Sequence, residues 1–285
     1  MIRPFNYFKA SSVEEALELL NSQQGQTNLL AGGTDLMADL RKGIHAVDNV
    51  IDIKGIPKLA KIELKEEGLF LGATVTCNQL MEDRLVQEHA PLLVEAAGHV
   101  ASHQIRNRAT PVGNLCTASP GADMAPSLLV LGTTVKVKGR EGTRDIPLPE
   151  FFVGVKKNAL QQGELVLGLQ VALHPPTARG RYLKKARIKG PDLSSAGVAG
   201  FVSPDESMVS FAYGALAPTP RLIDASAIFS GTGSLEDKIA SLLGRVDEVI
   251  SPITDVRSTK EYRMRIARIY TARICLELWK GARQE

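Results

Sequence analysis

The stretch Leu29-Leu30-Ala31-Gly32-Gly33-Thr34-Asp35-Leu36 constrains this chain more than any other. An apolar run that reads as a buried strand over 28–31 stops at two glycines, a hydroxyl and a carboxylate, and a helical pattern begins at Leu36. The pattern predicts a strand, a tight turn and a helix start. Adjacent glycines let backbone N–H groups approach an anion closely, because no Cβ intervenes, and the helix N-terminus behind them adds a favourable dipole. A phosphate site is one reading. A plain strand-to-helix turn with Thr34 or Asp35 as N-cap is the other.

The 285 residues suffice for two domains, each burying its own core. Ser12-Val13-Glu14-Glu15 is a capping box that opens a helix over 12–21. With the strand at 28–31, a short helix from Leu36 to Lys42 and a strand at 50–53, the first 55 residues read as a small β-α-β unit. A hairpin over 60–65 and 69–76, a short helix capped by Thr76 or Asn78, and an apolar helix over 92–100 follow. Next come the basic run His103 to Arg108 and the segment Ala109 to Leu115, which reads as strand flanks around loop residues. The small-residue run Cys116 to Asp123 then enters an apolar helix over 124–131. Such a run either lets a ligand approach the backbone or forms a tight crossing between subdomains.

A second hairpin over 133–138 and 143–146 and a strand over 164–173 complete this part, and the break His174-Pro175-Pro176 marks a boundary. The expected domains are 1–176, with subdomains of about 1–55 and 56–176, and 177–285. In the second, 181–188, 195–202 and 207–216 read as an antiparallel meander. Helices over 222–230 and 234–243 lead to a long helix capped by Ser258, in which Tyr262, Ile266, Ile269 and Leu276 share a face.

A net charge of +3 is small, so composition does not imply wholesale nucleic-acid binding. The densest basic run, Arg179, Arg181, Lys184, Lys185, Arg187 and Lys189, reads as a solvated strand face with local charge partners, or as a specific role for one lysine. Arg263, Arg265, Arg268 and Arg273 read as a solvated face or a subunit contact. Three dispersed cysteines lack the spacing for zinc or an iron-sulfur cluster, and five scattered histidines lack ligand spacing, so no metal is expected on this chain. No GxSxG is present and Cys116 has no neighbouring histidine, which excludes a nucleophilic triad and leaves Cys116 as a small buried side chain. Asp35, Asp123 and Asp192 each follow a loop and could orient ligand hydroxyls or cap helices. With no apolar leader and no run long enough to span a bilayer, the expected location is the cytoplasm.

Ala31 to Leu36, Gln104-Ile105-Arg106-Asn107 and Thr110-Pro111-Val112-Gly113-Asn114 resemble the paired flavin loops of the molybdenum hydroxylases. The resemblance, to the medium FAD-binding subunit of the xanthine dehydrogenase and carbon monoxide dehydrogenase family, covers nearly the whole chain. It includes Phe5-x-x-Phe8, Ala118 to Asp123, Lys184-Lys185-Ala186, Ala217-Pro218-Thr219-Pro220-Arg221 and Ser258 to Arg263. It implies an α+β fold: a vanillyl-alcohol-oxidase-like (PCMH-type) FAD domain of two subdomains, then a C-terminal domain with a three-stranded antiparallel sheet and helices. It further implies that Leu29, Leu30, Ala31, Gly32, Gly33, Thr34, Asp35 and Leu36 hold the FAD pyrophosphate from one side. Thr110, Pro111, Val112, Gly113 and Asn114 would hold it from the other. Asp123 would meet FAD hydroxyls, Val166 the flavin by apolar contact, and Lys184 the isoalloxazine.

The implied assembly is a dimer of heterotrimers. A molybdopterin-binding large subunit oxidises the substrate, a small subunit carries electrons through 2Fe-2S clusters, and FAD on this chain passes them to NAD or another acceptor. The chemistry is the flavin's, so no side chain of this chain is expected to act as a catalytic acid or base. An FAD-free assembly subunit and a stand-alone flavin oxidase are the competing functions. One departure stands out: where the family has Gly-Gly, this chain has Val112-Gly113, preceded by Pro111. Val112 is therefore expected in β geometry with the loop displaced, and Pro111 removes one N–H donor.

Overall fold

The computed structural model describes residues 2–44 and 46–281, so 282–285 of the second expected domain lie outside the described residues. The chain opens with β1 (Asn6–Lys9), α1 (Val13–Ser22), β2 (Thr27–Leu30), α2 (Leu36–Lys42) and β3 (Asn49–Asp52). The three strands form a parallel sheet in the order β1-β3-β2. Helix α1 starts where the sequence places it: Ser12 Oγ accepts the Glu15 N–H at 3.0 Å, and Glu15 reaches back to the Ser11 N–H at 2.8 Å. Gly43, in the left-handed region at φ 68°, stops α2.

A 3-10 turn, Pro57–Ala60, leads into β4 (Ile62–Lys65), β5 (Gly68–Gly72), α3 (Cys77–Glu82), α4 (Arg84–His89), α5 (Pro91–Gly98), α6 (His103–Arg106), α7 (Pro111–Cys116) and α8 (Ala125–Val130). Then come β6 (Thr134–Gly139), β7 (Gly142–Pro147), α9 (Leu148–Phe151), β8 (Phe152–Gly154), β9 (Lys157–Asn158) and β10 (Leu165–Val171). Five of these strands form an antiparallel sheet, β4-β5-β10-β6-β7, with the helices banked against it. Thr76, not Asn78, caps α3, in a reciprocal box with Gln79. Every residue of α8 is buried, and the helix packs against the sheet of the unit that follows, so it lies under both halves of the molecule.

That unit runs β11 (Arg179–Lys185), β12 (Ala196–Ser203), β13 (Met208–Gly214), β14 (Arg221–Asp224), α10 (Ser226–Ser230), α11 (Leu235–Val249) and α12 (Lys260–Gly281). Its sheet has four antiparallel strands, β11-β12-β13-β14, rather than the expected three. Leu222 to Asp224, expected to be helical, pair with Ala212 to Ser210, and the helix is confined to Ser226–Ser230. A free strand edge on β13 outweighs local helical preference over so short a segment.

Helix α12 corrects two further expectations, its cap and the exposure of Arg263. Its first turn is capped by Thr259, whose Oγ1 accepts the Tyr262 N–H at 3.2 Å, while Ser258 belongs to the preceding turn. Tyr262, Ile269 and Leu276 face outward at 41, 40 and 39% exposure, and the buried stripe is Arg263, Ala267, Thr271, Ile274, Cys275 and Leu278. Gly200 lets the helix lie close on β12: a Cβ there would come within 2.5 Å of Ile274 Cγ2. Arg263, grouped by spacing with solvated arginines, is 2% exposed. Its guanidinium donates to the carbonyls of Ser195 at 2.7 Å and Ala215 at 3.0 Å and to Asp255 Oδ1 at 2.7 Å.

Asp255 also accepts from the Arg257 side chain and from the N–H groups of Arg257 and Ser258. These donors hold its carboxyl below the ordinary carboxylate range against the opposing effect of burial. A depressed carboxyl contributes stability that is complete above its unfolded value, about 4, and is lost as pH falls through the folded value. Asp255→Asn should cost about 2 kcal/mol at neutral pH and much less in acid. Urea melts at the two pH values measure this, and an equal loss at both would contradict it.

Candidate functional site

Strand β2 delivers the chain to the turn Ala31-Gly32-Gly33, and α2 leaves it after Thr34 and Asp35. Gly33 sits at φ +75°, where L side chains are strained, and a Cβ there would meet Leu30 Cδ1 at 2.6 Å. The helix takes its first bonds from Met37 N–H to the Gly33 carbonyl and from Asp39 N–H to the Asp35 carbonyl. The N–H groups of Gly32, Gly33, Thr34, Asp35 and Leu36 meet no protein acceptor among the described residues. Asp35 occupies the N-cap position but does not cap. Its Oδ2 accepts the hydroxyl of Thr117 at 2.9 Å. Leu29, Leu30, Ala31, Thr34 and Leu36 are half-buried, so the donors border an apolar shelf.

The second segment is not a loop between strand flanks. Thr110 is the N-cap of α7, its Oγ1 accepting the Gly113 N–H at 2.9 Å, and Pro111 is the first helical residue. Pro111 is preorganised there and lacks an N–H that the first turn would leave without an intrahelical partner. Val112 is the second helical residue, buried, with no need for positive φ, so the expected β geometry is not found. What changes is the donor set. Gly113 N–H is committed to Thr110 Oγ1 and Asn114 N–H to the Thr110 carbonyl at 2.9 Å. Asn114 Oδ1 accepts the Met124 N–H at 3.2 Å, which ties α7 to the start of α8.

The two segments are in contact. A Cβ on Gly32 would lie 2.0 Å from the Arg108 carbonyl oxygen and 3.1 Å from Ala109 Cα. Only glycine permits that approach, and Thr117 fastens the far end of α7 to Asp35. The basic segment before them is held from behind: Arg106 donates to Asn78 Oδ1 and to the carbonyls of Gly98 and Val100.

Beyond α7 the small-residue run ends at Asp123, which is buried. Lys184 Nζ donates to Asp123 Oδ2 at 2.7 Å and to the His99 carbonyl at 3.0 Å, and Tyr182 Oη to Asp123 Oδ1 at 3.3 Å. Burial raises the Asp123 carboxyl above its ordinary range, opposed chiefly by the Lys184 charge. Burial likewise raises the Tyr182 phenol and lowers the His99 imidazole, the latter helped by Lys184. His99 and Tyr182 meet edge to face with centroids 5.5 Å apart. Glu95 Oε2 accepts the Tyr182 backbone N–H at 3.0 Å and its other oxygen pairs with Arg181, which fixes the β11 edge against α5. Val166, on β10, is buried beside a bulge, and β10 packs against α7.

The other sequence candidates serve the fold. Most of the basic run has local partners, Arg181 with Glu95 and Glu277, Lys184 with Asp123, and Arg187 with Asp192. Arg187 takes Asp192 down to about 2, so that carboxylate neither caps a helix nor is left for a ligand. Burial pushes the thiols of Cys77 and Cys116 up to about 12, which removes them as nucleophiles at neutral pH. No metal-binding cluster exists among the described residues.

Residues 3–173 match the family described as the FAD binding domain in molybdopterin dehydrogenase, and 181–278 match the CO dehydrogenase flavoprotein C-terminal domain. The chain belongs to the FAD-binding subunits of the molybdopterin dehydrogenases. It is 30% identical to the xanthine dehydrogenase FAD-binding subunit of Escherichia coli O157:H7 over 278 residues, 95% of each chain. Among solved structures, it matches carbon monoxide dehydrogenase from Hydrogenophaga pseudoflava at TM-score 0.91 and 26% identity, over 98% of this chain and 99% of that one. Quinoline 2-oxidoreductase from Pseudomonas putida 86 matches at TM-score 0.91 and 25% identity, over 99% of both.

Membership in this flavoprotein family gives the geometry its meaning, and it brings in residues that the motifs did not single out. Tyr182 stands two residues from Lys184 on one strand, so period-two alternation places both on one face. His99, Glu95 and Thr117 carry no local sequence signal. They reach the site through contacts between segments far apart in sequence.

Proposed function

We propose that this chain is the FAD-carrying, electron-exit subunit of a heterotrimeric molybdenum hydroxylase, a cytoplasmic dimer of such heterotrimers. It would take electrons from the 2Fe-2S clusters of a small subunit and deliver them to NAD or another acceptor, while a molybdopterin-binding large subunit oxidises the substrate. The observation that carries the reading is the contact of Gly32 with the backbone of Arg108 and Ala109, which draws the 29–36 and 110–114 segments together. The residues fit FAD. A row of unengaged N–H groups suits a pyrophosphate, and the half-buried leucines beside it suit an aromatic ring.

Leu29 to Leu36 and Thr110 to Asn114 would hold the dinucleotide, with Val112 N–H and Asn114 Nδ2 as the donors of the second segment. Asp123, Lys184 and Val166 would meet the flavin and its hydroxyls. FAD supplies hydride and single-electron chemistry. The chain's own part is to bind, to exclude water behind the buried Val166, and to set the local charge through the Asp123–Lys184 pair. The domains serving this are 1–176 for FAD and 177–285 for the C-terminal part.

Lys184→Ala in the assembled complex tests the electron-exit role. Substrate oxidation with an artificial acceptor that bypasses the flavin should stay within about twofold of wild type, while electron delivery to the physiological acceptor falls about tenfold or more. Equal loss of both would place Lys184 in the chemistry of the molybdenum subunit and contradict the reading.

A further inference from the structure

The residue whose carbonyl lies against Gly32 is itself a cation. Arg108 is exposed, and its guanidinium makes no hydrogen bond or ion pair among the described residues. Its backbone, by contrast, is pinned. Arg108 N–H donates to the Ile105 carbonyl at 2.9 Å, Ala109 N–H donates to the same carbonyl at 2.8 Å, and the Arg108 carbonyl oxygen would lie 2.0 Å from a Cβ on Gly32. The root of the side chain is therefore fixed beside the 31–36 turn, while its charged end has no place of its own in the fold. Other cations of the region are committed or distant. Arg106 donates to Asn78 and to the carbonyls of Gly98 and Val100, Lys184 is held by Asp123 and the His99 carbonyl, and Arg41 and Lys42 occupy the last turn of α2, away from its start.

The charge balance of the turn calls for such a group. The N–H groups of residues 32–36 that meet no protein acceptor are dipoles without net charge, and Asp35 places a carboxylate on the same turn. A diphosphate brought to these donors adds its own negative charges to that one, and dipoles alone leave the sum uncompensated. A guanidinium is always charged, and its planar fork of N–H donors matches a pair of phosphate oxygens.

We infer that Arg108 folds over the 31–36 turn and pairs with the diphosphate of FAD, so that it selects FAD over riboflavin, which lacks the diphosphate. Resting on the FAD reading above, this assignment gives the two backbone segments the net positive charge that their N–H groups do not supply.

The test titrates the full-length chain, freed of flavin, with FAD and with riboflavin at low and at high salt, as wild type, as Arg108→Gln and as Arg108→Lys. Position 108 is exposed and its side chain has no partner in the fold, so the three melting temperatures should match. FAD affinity should fall about tenfold or more in Arg108→Gln and about threefold in Arg108→Lys, which keeps the charge but not the fork. Riboflavin affinity should stay within about twofold of wild type in both. Added salt should weaken FAD binding by wild type more than by Arg108→Gln. An unchanged FAD affinity in Arg108→Gln overturns the inference and leaves the FAD reading standing. Equal losses for FAD and riboflavin also overturn it, because Arg108 would then shape the segment rather than meet the diphosphate. Where riboflavin binds too weakly to titrate, the salt response decides, and the same response in wild type and Arg108→Gln overturns the inference. A wild-type chain that takes up no FAD overturns both readings together.

Discussion

Gly32→Ala is expected to reduce FAD affinity by at least about 100-fold and to destabilise the chain by about 2–3 kcal/mol. The added methyl would sit 2.0 Å from the carbonyl oxygen of Arg108, and the atoms in its way are backbone, not the movable end of a side chain. Either the turn or the segment leading into α7 must shift, and both belong to the proposed dinucleotide clamp. Gly43→Ala is the control. Gly43 also lies at positive φ, but with open space around it, so it should lose stability through backbone strain while leaving FAD affinity unchanged. Calorimetric titration with FAD and thermal melts read the two effects separately.

Lys184→Met is expected to cost about 3 kcal/mol at neutral pH, because it leaves Asp123 buried without its cation. The double variant Asp123→Asn/Lys184→Met should cost less than Lys184→Met alone, since the charge left uncompensated is the larger penalty. The pH dependence has a definite sign. Burial raises the Asp123 carboxyl above its unfolded value, so between the two values the native state holds a proton that the unfolded state has released, and stability falls as pH rises through that window. Lys184 is the main force opposing the rise, so its removal extends the window upward. The cost of Lys184→Met should therefore grow between about pH 5 and about pH 8. Denaturant melts across that range measure it, and a cost independent of pH would show that the pair is not what stabilises this site.

Local pattern carried much of this fold. Ser12 and Glu15, the Gly32-Gly33 turn, Gly43 and the alternating strands each specify their element with signals a few residues apart, and those elements form where expected. Where two physical preferences compete, pattern alone picks wrongly. Thr110-Pro111 opens a helix because proline favours the first helical position, although Gly113 and Asn114 suggested a loop. In α12 Tyr262, Ile269 and Leu276 share a face as the spacing indicates, but which of the helix's stripes faces the sheet was not legible: the buried one, Ala267, Thr271, Ile274, Cys275 and Leu278, is seated where Gly200 leaves room for Ile274. The candidate site was legible as two glycine-containing segments, and the resemblance identified them as a pair. Their contact through Gly32, the bond from Thr117 to Asp35, and the closing of Lys184 on Asp123 were not legible, because each depends on a distant segment whose arrival only tertiary packing determines.

The central claim, that these two segments together hold FAD, is tested most directly by the flavin content of the purified chain after incubation with FAD and removal of the excess. The account predicts a yellow protein with one FAD per chain for wild type and a colourless one for Gly32→Ala. A wild-type chain that folds, assembles with its partner subunits and takes up no FAD would contradict it.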